Sequence, residues 1–342
     1  MKLIRKLYSA KDRGNYKLAV SLFTKLQQEG IKMDIRKFTA MISVAAKAGR
    51  TKDAVAWFDK AVAVGLAPNV VSYTSVMAAA ARTGQLSVAE QWLTKMQEAA
   101  VKPTRISYKT LVNAAAQSKN YTAAAAWFCA MQDASFAPDA IAYNNLINAA
   151  RQDCNLEAAE SWYTHMCQAS VQPDGFTLNT LIATAAACED IKAALRWYKE
   201  FDVQGFERER PTYTSMLSLY ASLGHVRQAE RVFSEMQLQG FAPQVITYNT
   251  LLKAYHVAEL PDKAEEVLRK MLEIGQRPTA VTLSYLRKTL GPARYKALRS
   301  NLDLGSRLDR DIGQFQTRER SNSVKKLRNA AFKEEKTWGR FL

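Results

Sequence analysis

Between Val70 and Thr104 the apolar residues fall into two helical stripes. Tyr73, Val76, Met77 and Ala80 stand at i, i+3, i+4 and i+7, and Ala89, Trp92, Leu93 and Met96 repeat that spacing. Each stripe predicts an amphipathic helix. Gly84 lies between them, suited to the left-handed position that closes a helix, and Pro103 interrupts the chain before the next stripe. The stretch reads as a helical hairpin: helix A, a short glycine turn, helix B and a proline-bearing link.

Displaced by 35 residues, the pattern returns. Ala89 is matched by Ala19, Ala54, Ala124, Ala159, Ala194, Ala229 and Ala264. Trp57, Trp92, Trp127, Trp162 and Trp197 share one register, and only Trp338 lies outside it. A short fixed period of this kind marks a stacked repeat protein. One hairpin cannot bury both its faces, so stacking supplies the core. The alanine methyl lets the two helices approach closely, and the tryptophan three residues later packs beside it.

The period divides the chain into a degenerate N-terminal repeat (1–34) and seven full units without insertions (35–69, 70–104, 105–139, 140–174, 175–209, 210–244 and 245–279). A partial repeat and C-terminal cap follow at 280–304, with a helix A from Ala280 cut at Gly291-Pro292 and a short helix over Tyr295 to Leu302. Residues 305–342 are polar and basic, and read as partly disordered or helical only on contact. The N-terminus is basic and amphipathic like a targeting peptide, but Leu22, Phe23 and Leu26 sit one period before Trp57, Phe58 and Ala61. It therefore reads as a worn first repeat, with any cleaved presequence absent from this chain.

Composition adds a partner class. The net charge of +16, from 48 basic and 32 acidic residues, suits a polyanion, nucleic acid above all, or else a generally basic surface. No apolar run reaches the length a membrane helix needs. Cys129, Cys154, Cys167 and Cys188 lack C-x-x-C spacing and read as reduced thiols in small apolar positions, without disulfides. His165 and Cys167 do not share a helix face, so no metal site is expected, and no cofactor. No deaminase spacing, glycine-rich phosphate loop or repeated carboxylate pair occurs. Asp303, Asp309 and Asp311 sit among arginines and read as a solvated charge run, so a non-enzymatic binder is expected.

The run Val245-Ile246-Thr247-Tyr248-Asn249-Thr250-Leu251-Leu252, followed by Ala264, Met271, Gly275 and Pro278, resembles the pentatricopeptide repeat (PPR) pattern of the P-type. So does Ala140-Ile141-Ala142-Tyr143-Asn144-Asn145-Leu146-Ile147 through Pro173-Asp174. The tetratricopeptide repeat, at about 34 residues, is the nearest competitor and matches these details less well. The resemblance covers 35–290 clearly and 1–34 weakly. It implies an all-α, right-handed superhelical solenoid that binds single-stranded RNA, one base per repeat.

In that family the fifth and last residues of a unit meet the base edge. Here the fifth positions are Thr39, Thr74, Lys109, Asn144, Asn179, Thr214 and Asn249, and the last are Asn69, Thr104, Asp139, Asp174, Glu209, Gln244 and Thr279. The fifth position lies off the core stripe, toward a groove, and Asn or Thr inside a helix carries a small propensity penalty that suggests another use. By resemblance, Thr39 with Asn69 prefers adenine and Asn144 with Asp174 uracil. Asn179 with Glu209 and Asn249 with Thr279 lean to pyrimidines, while Thr74 with Thr104 and Thr214 with Gln244 lean to purines. Lys109 with Asp139 departs from the pattern and has no assignment. The target reads A, purine, any, U, pyrimidine, purine, pyrimidine.

The second residue clamps the base in such proteins: Val71, Ile106, Ile141, Phe176, Ile246 and Val281, with Arg36 and Pro211 as departures. Arg36 can stack its guanidinium on a base. Lys47 and Arg82 match the family's phosphate-contacting position near the end of helix A. The family works on organellar transcripts, in processing, stabilisation, splicing or translation, which implies a chloroplast or mitochondrial setting, chloroplast slightly preferred. A monomer is expected, with protein partners through the C-terminal tail. The competing reading is a helical-repeat scaffold that holds a protein or peptide in its concave groove.

Overall fold

Residues 2–301 are described here by a computed structural model; the 305–342 tail and Trp338 lie outside the described residues. The described residues form α-helices without strands, and they divide into two compact units, the first ending at Glu207 and the second beginning at Arg208.

The first unit holds α1 (Lys2–Asp12), α2 (Tyr16–Gln28), α3 (Ile35–Lys47), α4 (Thr51–Ala63), α5 (Val70–Arg82), α6 (Leu86–Glu98), α7 (Arg105–Gln117), α8 (Tyr121–Asp133), α9 (Ala140–Gln152), α10 (Leu156–Gln168), α11 (Gly175–Ala187) and α12 (Ile191–Gln204). Within this unit each odd-numbered A helix packs against the B helix that follows it, and from α1 to α9 also against the next A helix, α3 on α4 and α5 for example. Residues 2–28 already form a complete A–B pair, α1 and α2. The second unit holds α13 (Arg210–Ser222), α14 (Val226–Leu238), α15 (Val245–Val257), α16 (Pro261–Glu273) and α17 (Ala280–Asn301). Inside it α13 packs on α14 and α15, and α15 on α16 and α17. The last helix is broken at Gly291 (φ 75°, ψ 168°), with Pro292 starting its second arm.

The alanine that recurs near the start of helix B is fully buried in all eight positions, from Ala19 to Ala264. Beside it an aromatic triad recurs that ties one pair to the next. Phe23 meets Phe38 and Trp57, Phe58 meets Tyr73 and Trp92, and Phe128 meets Tyr143 and Trp162. Each triad joins a B helix, the next A helix and the next B helix through edge-to-face contacts, the geometry that ring quadrupoles favour. The indole N–H groups also bridge pairs: Trp57 donates to Tyr16 Oη at 3.2 Å and Trp162 to Tyr121 Oη at 3.0 Å.

The turns correct one expectation. The left-handed position between helix A and helix B is glycine at Gly84 (φ 65°), but it is Lys119, Cys154, Glu189 and Glu259 in other pairs, with φ between 49° and 60°. A shared backbone path is thus kept even where the side chain opposes it, at a cost of about 1–2 kcal/mol per non-glycine residue. The cysteines also differ from expectation: Cys129, Cys154 and Cys167 are exposed rather than set in apolar positions, and all four are free thiols. Gly84 is held against backbone, because a Cβ there would stand 3.1 Å from the carbonyl oxygen of Gln117. Gly84→Ala should therefore lower stability by about 1–2 kcal/mol in urea melts, whereas Lys119→Gly should be neutral or stabilising by up to about 1 kcal/mol.

Candidate nucleic-acid interface

The last residue of each unit is the N-cap of the next helix A. Asn69 accepts from the Ser72 amide at 3.0 Å, Asp139 from Ala142 at 3.1 Å and Asp174 from Thr177 at 2.8 Å. Thr104, Glu209 and Gln244 form capping boxes with Ser107, Thr212 and Thr247. Thr279 and Thr282 exchange similar bonds at the start of α17. A cap occupies one head-group atom of the side chain and fixes its direction. In Asn69 the Oδ1 is engaged, which leaves the amide Nδ2 to face outward chemistry. Sequence reasoning missed this second duty, although Asn, Asp and Thr immediately before a helical stripe are its ordinary signal.

Within each unit the fifth positions lie at the seam between successive A helices, and several are more enclosed than a free groove position would be. Thr39, Thr74, Asn144 and Asn179 are only 6–8% exposed, while Lys109, Thr214 and Asn249 are half-buried. The cause is the tight A-to-A packing, in which the third residue of the next helix stands opposite. The Thr39 hydroxyl meets Ser72 Oγ at 2.9 Å, and Asn249 Oδ1 accepts from Thr282 Oγ1 at 2.6 Å. Thr74 and Thr214 turn their hydroxyls onto their own helix, to the carbonyls of Val70 and Pro211. Asn249 also donates weakly to Thr279 Oγ1 at 3.4 Å, so one fifth-and-last pair is in direct contact here. Asn144 stands apart: its Oδ1 is buried and has no hydrogen-bond partner.

Lys109 and Asp139 form the other paired set. Lys109 Nζ donates to Asp139 Oδ2 at 2.5 Å, and the Arg105 guanidinium lies 3.6 Å from the same oxygen. Partial burial pushes the Asp139 carboxyl up. The Lys109 hydrogen bond, the Ala142 amide and the two nearby cations outweigh it and hold the group below its ordinary range. A carboxyl depressed in the folded state gives stability that is fully present above its unfolded value and is lost as pH falls through the folded one. The stability difference between the wild type and Asp139→Asn should therefore be constant near neutrality and shrink below about pH 4. Urea midpoints across that range measure it.

The second positions of the helical pairs are for the most part solvent-exposed apolar side chains. Val71, Ile106, Ile141, Phe176 and Ile246 are 53%, 65%, 60%, 62% and 70% exposed. Arg36 and Pro211 are exposed as well, and Val281 is half-buried. An exposed aliphatic group recurring once per turn of the repeat, on the first turn of helix A, serves no core.

The charge on that face is one-sided. None of the A helices from α3 to α17 contains an aspartate or glutamate, whereas every B helix from α4 onward does. The A helices carry basic residues such as Arg36, Lys47, Arg82, Lys109 and Lys253. This segregation was readable from the sequence once the helices were phased, and overall net charge hides it. Lys47 and Arg82 line a groove of about 510 Å³ along α3, α5 and α7, together with Ser43, Ser75, Asn113 and Gln117. Lys47 Nζ also donates to the Asp12 carbonyl at 3.2 Å. Among the described residues no group of three or more His, Cys, Asp or Glu could hold a metal ion, and no helix is long and apolar enough to cross a membrane.

Comparison with known families agrees with this architecture. Residues 71–201 match the family described as pentatricopeptide repeat-containing protein, 21–78 the pentatricopeptide repeat domain, 209–257 the PPR repeat family and 246–276 the PPR repeat. The chain belongs to the pentatricopeptide repeat family. Among solved structures it is similar to PPR10 in complex with an 18-nt psaJ RNA element, with 19% identity and a TM-score of 0.70 over 87% of this chain and 49% of that one. The structure of PPR10 from maize matches with 18% identity and a TM-score of 0.52, over 90% of this chain and 57% of that one. At these identities the likeness is one of fold, and the chain spans about half the length of PPR10. No curated protein matches the chain.

Proposed function

We propose that the chain binds single-stranded RNA along the A-helix face, each helical pair meeting one nucleotide. The observation that carries this reading is the exposed apolar second position, Val71, Ile106, Ile141 and Phe176 in the first unit and Ile246 in the second, on helices devoid of acidic residues. Apolar side chains at one per pair suit the flanks of unstacked bases, and the surrounding cations suit phosphates. PPR10, of the same family, was solved with an RNA element bound. Thr39 with Asn69, Thr74 with Thr104 and Asn144 with Asp174 are the base-reading pairs of the first unit, selecting adenine, purine and uracil in turn. In the second unit, Thr214 with Gln244 selects a purine and Asn249 with Thr279 a pyrimidine. Arg36, Val71, Ile106, Ile141, Phe176, Pro211, Ile246 and Val281 flank the bases, and Lys47 and Arg82 hold phosphates. The protein acts by occupying its transcript rather than cutting it, in organellar RNA processing, stabilisation, splicing or translation, and the chloroplast is the preferred setting.

Fluorescence anisotropy with a short single-stranded RNA and its duplex tests the proposal. Single strands should bind more tightly, with log K falling against log salt at a slope of about −0.7 per neutralised phosphate. A zero slope, or equal binding of the duplex, rules the reading out and favours a protein or peptide partner.

A further inference from the structure

The reading pair Lys109 and Asp139 is already closed on itself. Asp139 Oδ2 takes the Lys109 ammonium at 2.5 Å with Arg105 behind it at 3.6 Å, and Oδ1 caps α9 through the Ala142 amide at 3.1 Å. Both oxygens already carry a hydrogen bond before any nucleotide arrives. The neighbouring pair is the opposite case. Asn144 is 6% exposed, and its Oδ1 has no partner among the described residues.

Resting on the RNA-binding reading above, we infer that helical pair 105–139 is a silent position, which passes one nucleotide without selecting its base, and that pair 140–174 next to it enforces base identity most strongly. A base that bonded Asp139 would share a carboxylate already engaged by Lys109 in a charge-assisted hydrogen bond, stronger than the neutral one a base offers. The remaining Lys109 protons are no substitute. An ammonium is a point charge without the planar fork that reads an edge, and every base offers it some acceptor. Ile106, 65% exposed, still flanks the nucleotide, so the pair holds it without choosing it. At Asn144 a base with a matching donor satisfies a buried orphan acceptor. A base without one leaves that acceptor unpaired in a desolvated seam, and an unpaired buried group is what makes discrimination steep.

The full chain is titrated by anisotropy with single-stranded RNA oligonucleotides of core adenine–purine–N–uracil–pyrimidine in fixed flanks. The third base is varied through all four in one series and the fourth in another. The expected result is a spread in Kd within about twofold at the third base and about tenfold or more at the fourth, the latter set by the penalty of an unpaired buried group. Lys109→Asn, which frees Asp139 Oδ2, should raise the spread at the third base to about fivefold or more, with affinity for the best base retained. A wild-type protein that discriminates the third base as steeply as the fourth overturns the silence of this pair and leaves RNA binding intact. A third base still ignored by Lys109→Asn overturns the assigned cause. A flat response at both positions, with RNA bound, removes the one-base-per-pair reading and this inference with it, as does the absence of RNA binding.

Discussion

Replacing Ile141 and Phe176 together with aspartate should weaken binding of single-stranded RNA by about a hundredfold or more, on the order of 1–3 kcal/mol for each flanked base. Both side chains are exposed, so nothing in the core depends on them. The change removes two apolar flanks and places two carboxylates on helices that otherwise carry no negative charge. Next to phosphates those carboxylates repel, so the loss should be greatest at low salt and partly relieved as salt rises. The melting temperature should stay within a few degrees of the wild type, since surface substitutions of this kind move stability by only about 0.5 kcal/mol. Anisotropy titrations at two salt concentrations, paired with circular-dichroism melts, give both readings. An RNA affinity within threefold of wild type would mean that the exposed row is not where the strand lies.

The largest effect on stability is expected from Phe128→Ala. Phe128 is fully buried, 5.0 Å from the Tyr143 ring and 5.1 Å from Trp162. It belongs to α8 and touches the A and B helices of the following pair, so its loss opens a cavity shared by two pairs. Truncating a buried phenylalanine costs about 3–5 kcal/mol, and the lost edge-to-face contacts push toward the upper end. In a stacked array each pair rests only on its neighbours, so the damage should spread along the chain unevenly. Hydrogen exchange should accelerate most in α8, α9 and α10 while the amides of α3 keep their protection. Ala124→Gly, at the fully buried alanine of the same helix, supplies a smaller reference of about 1 kcal/mol. A loss below about 1 kcal/mol for Phe128→Ala would show that the triad is not what couples the pairs.

Helix positions were legible in the sequence because each reports on a local rule. A 3.6-residue stripe, a breaker and a fixed period locate Ala89 and Trp92 without reference to any partner. The triads were less legible, since Phe128, Tyr143 and Trp162 belong to three helices and meet only after stacking. The left-handed turns show the same limit: Lys119 and Cys154 give no hint of positive φ, and the conformation is imposed by the pairs on either side. For the candidate interface, the second positions came from the family resemblance, and what the structure adds is that Ile106 and Ile141 are exposed. The fifth positions could be placed off the core stripe, but not as enclosed as they are. The burial of Thr39 follows from how closely Ser72 of the next A helix approaches, a distance that composition does not encode.

The N-caps carry a consequence for how such a protein can change its target. Asn69 and Asp174 each start a helix with the same side chain that would choose a base. Any exchange there is judged twice, once by the strand and once by the folding of the hairpin behind it. Residues with no oxygen to offer the first turn, such as leucine or lysine, would lower stability by about 0.5–2 kcal/mol whatever they recognise. The alphabet open to this position is therefore short, and retargeting proceeds by moves among a few compact polar residues, with the longer Glu209 and Gln244 at its outer edge. A designer who rewrites one address at a time should expect the melting curve to register each edit.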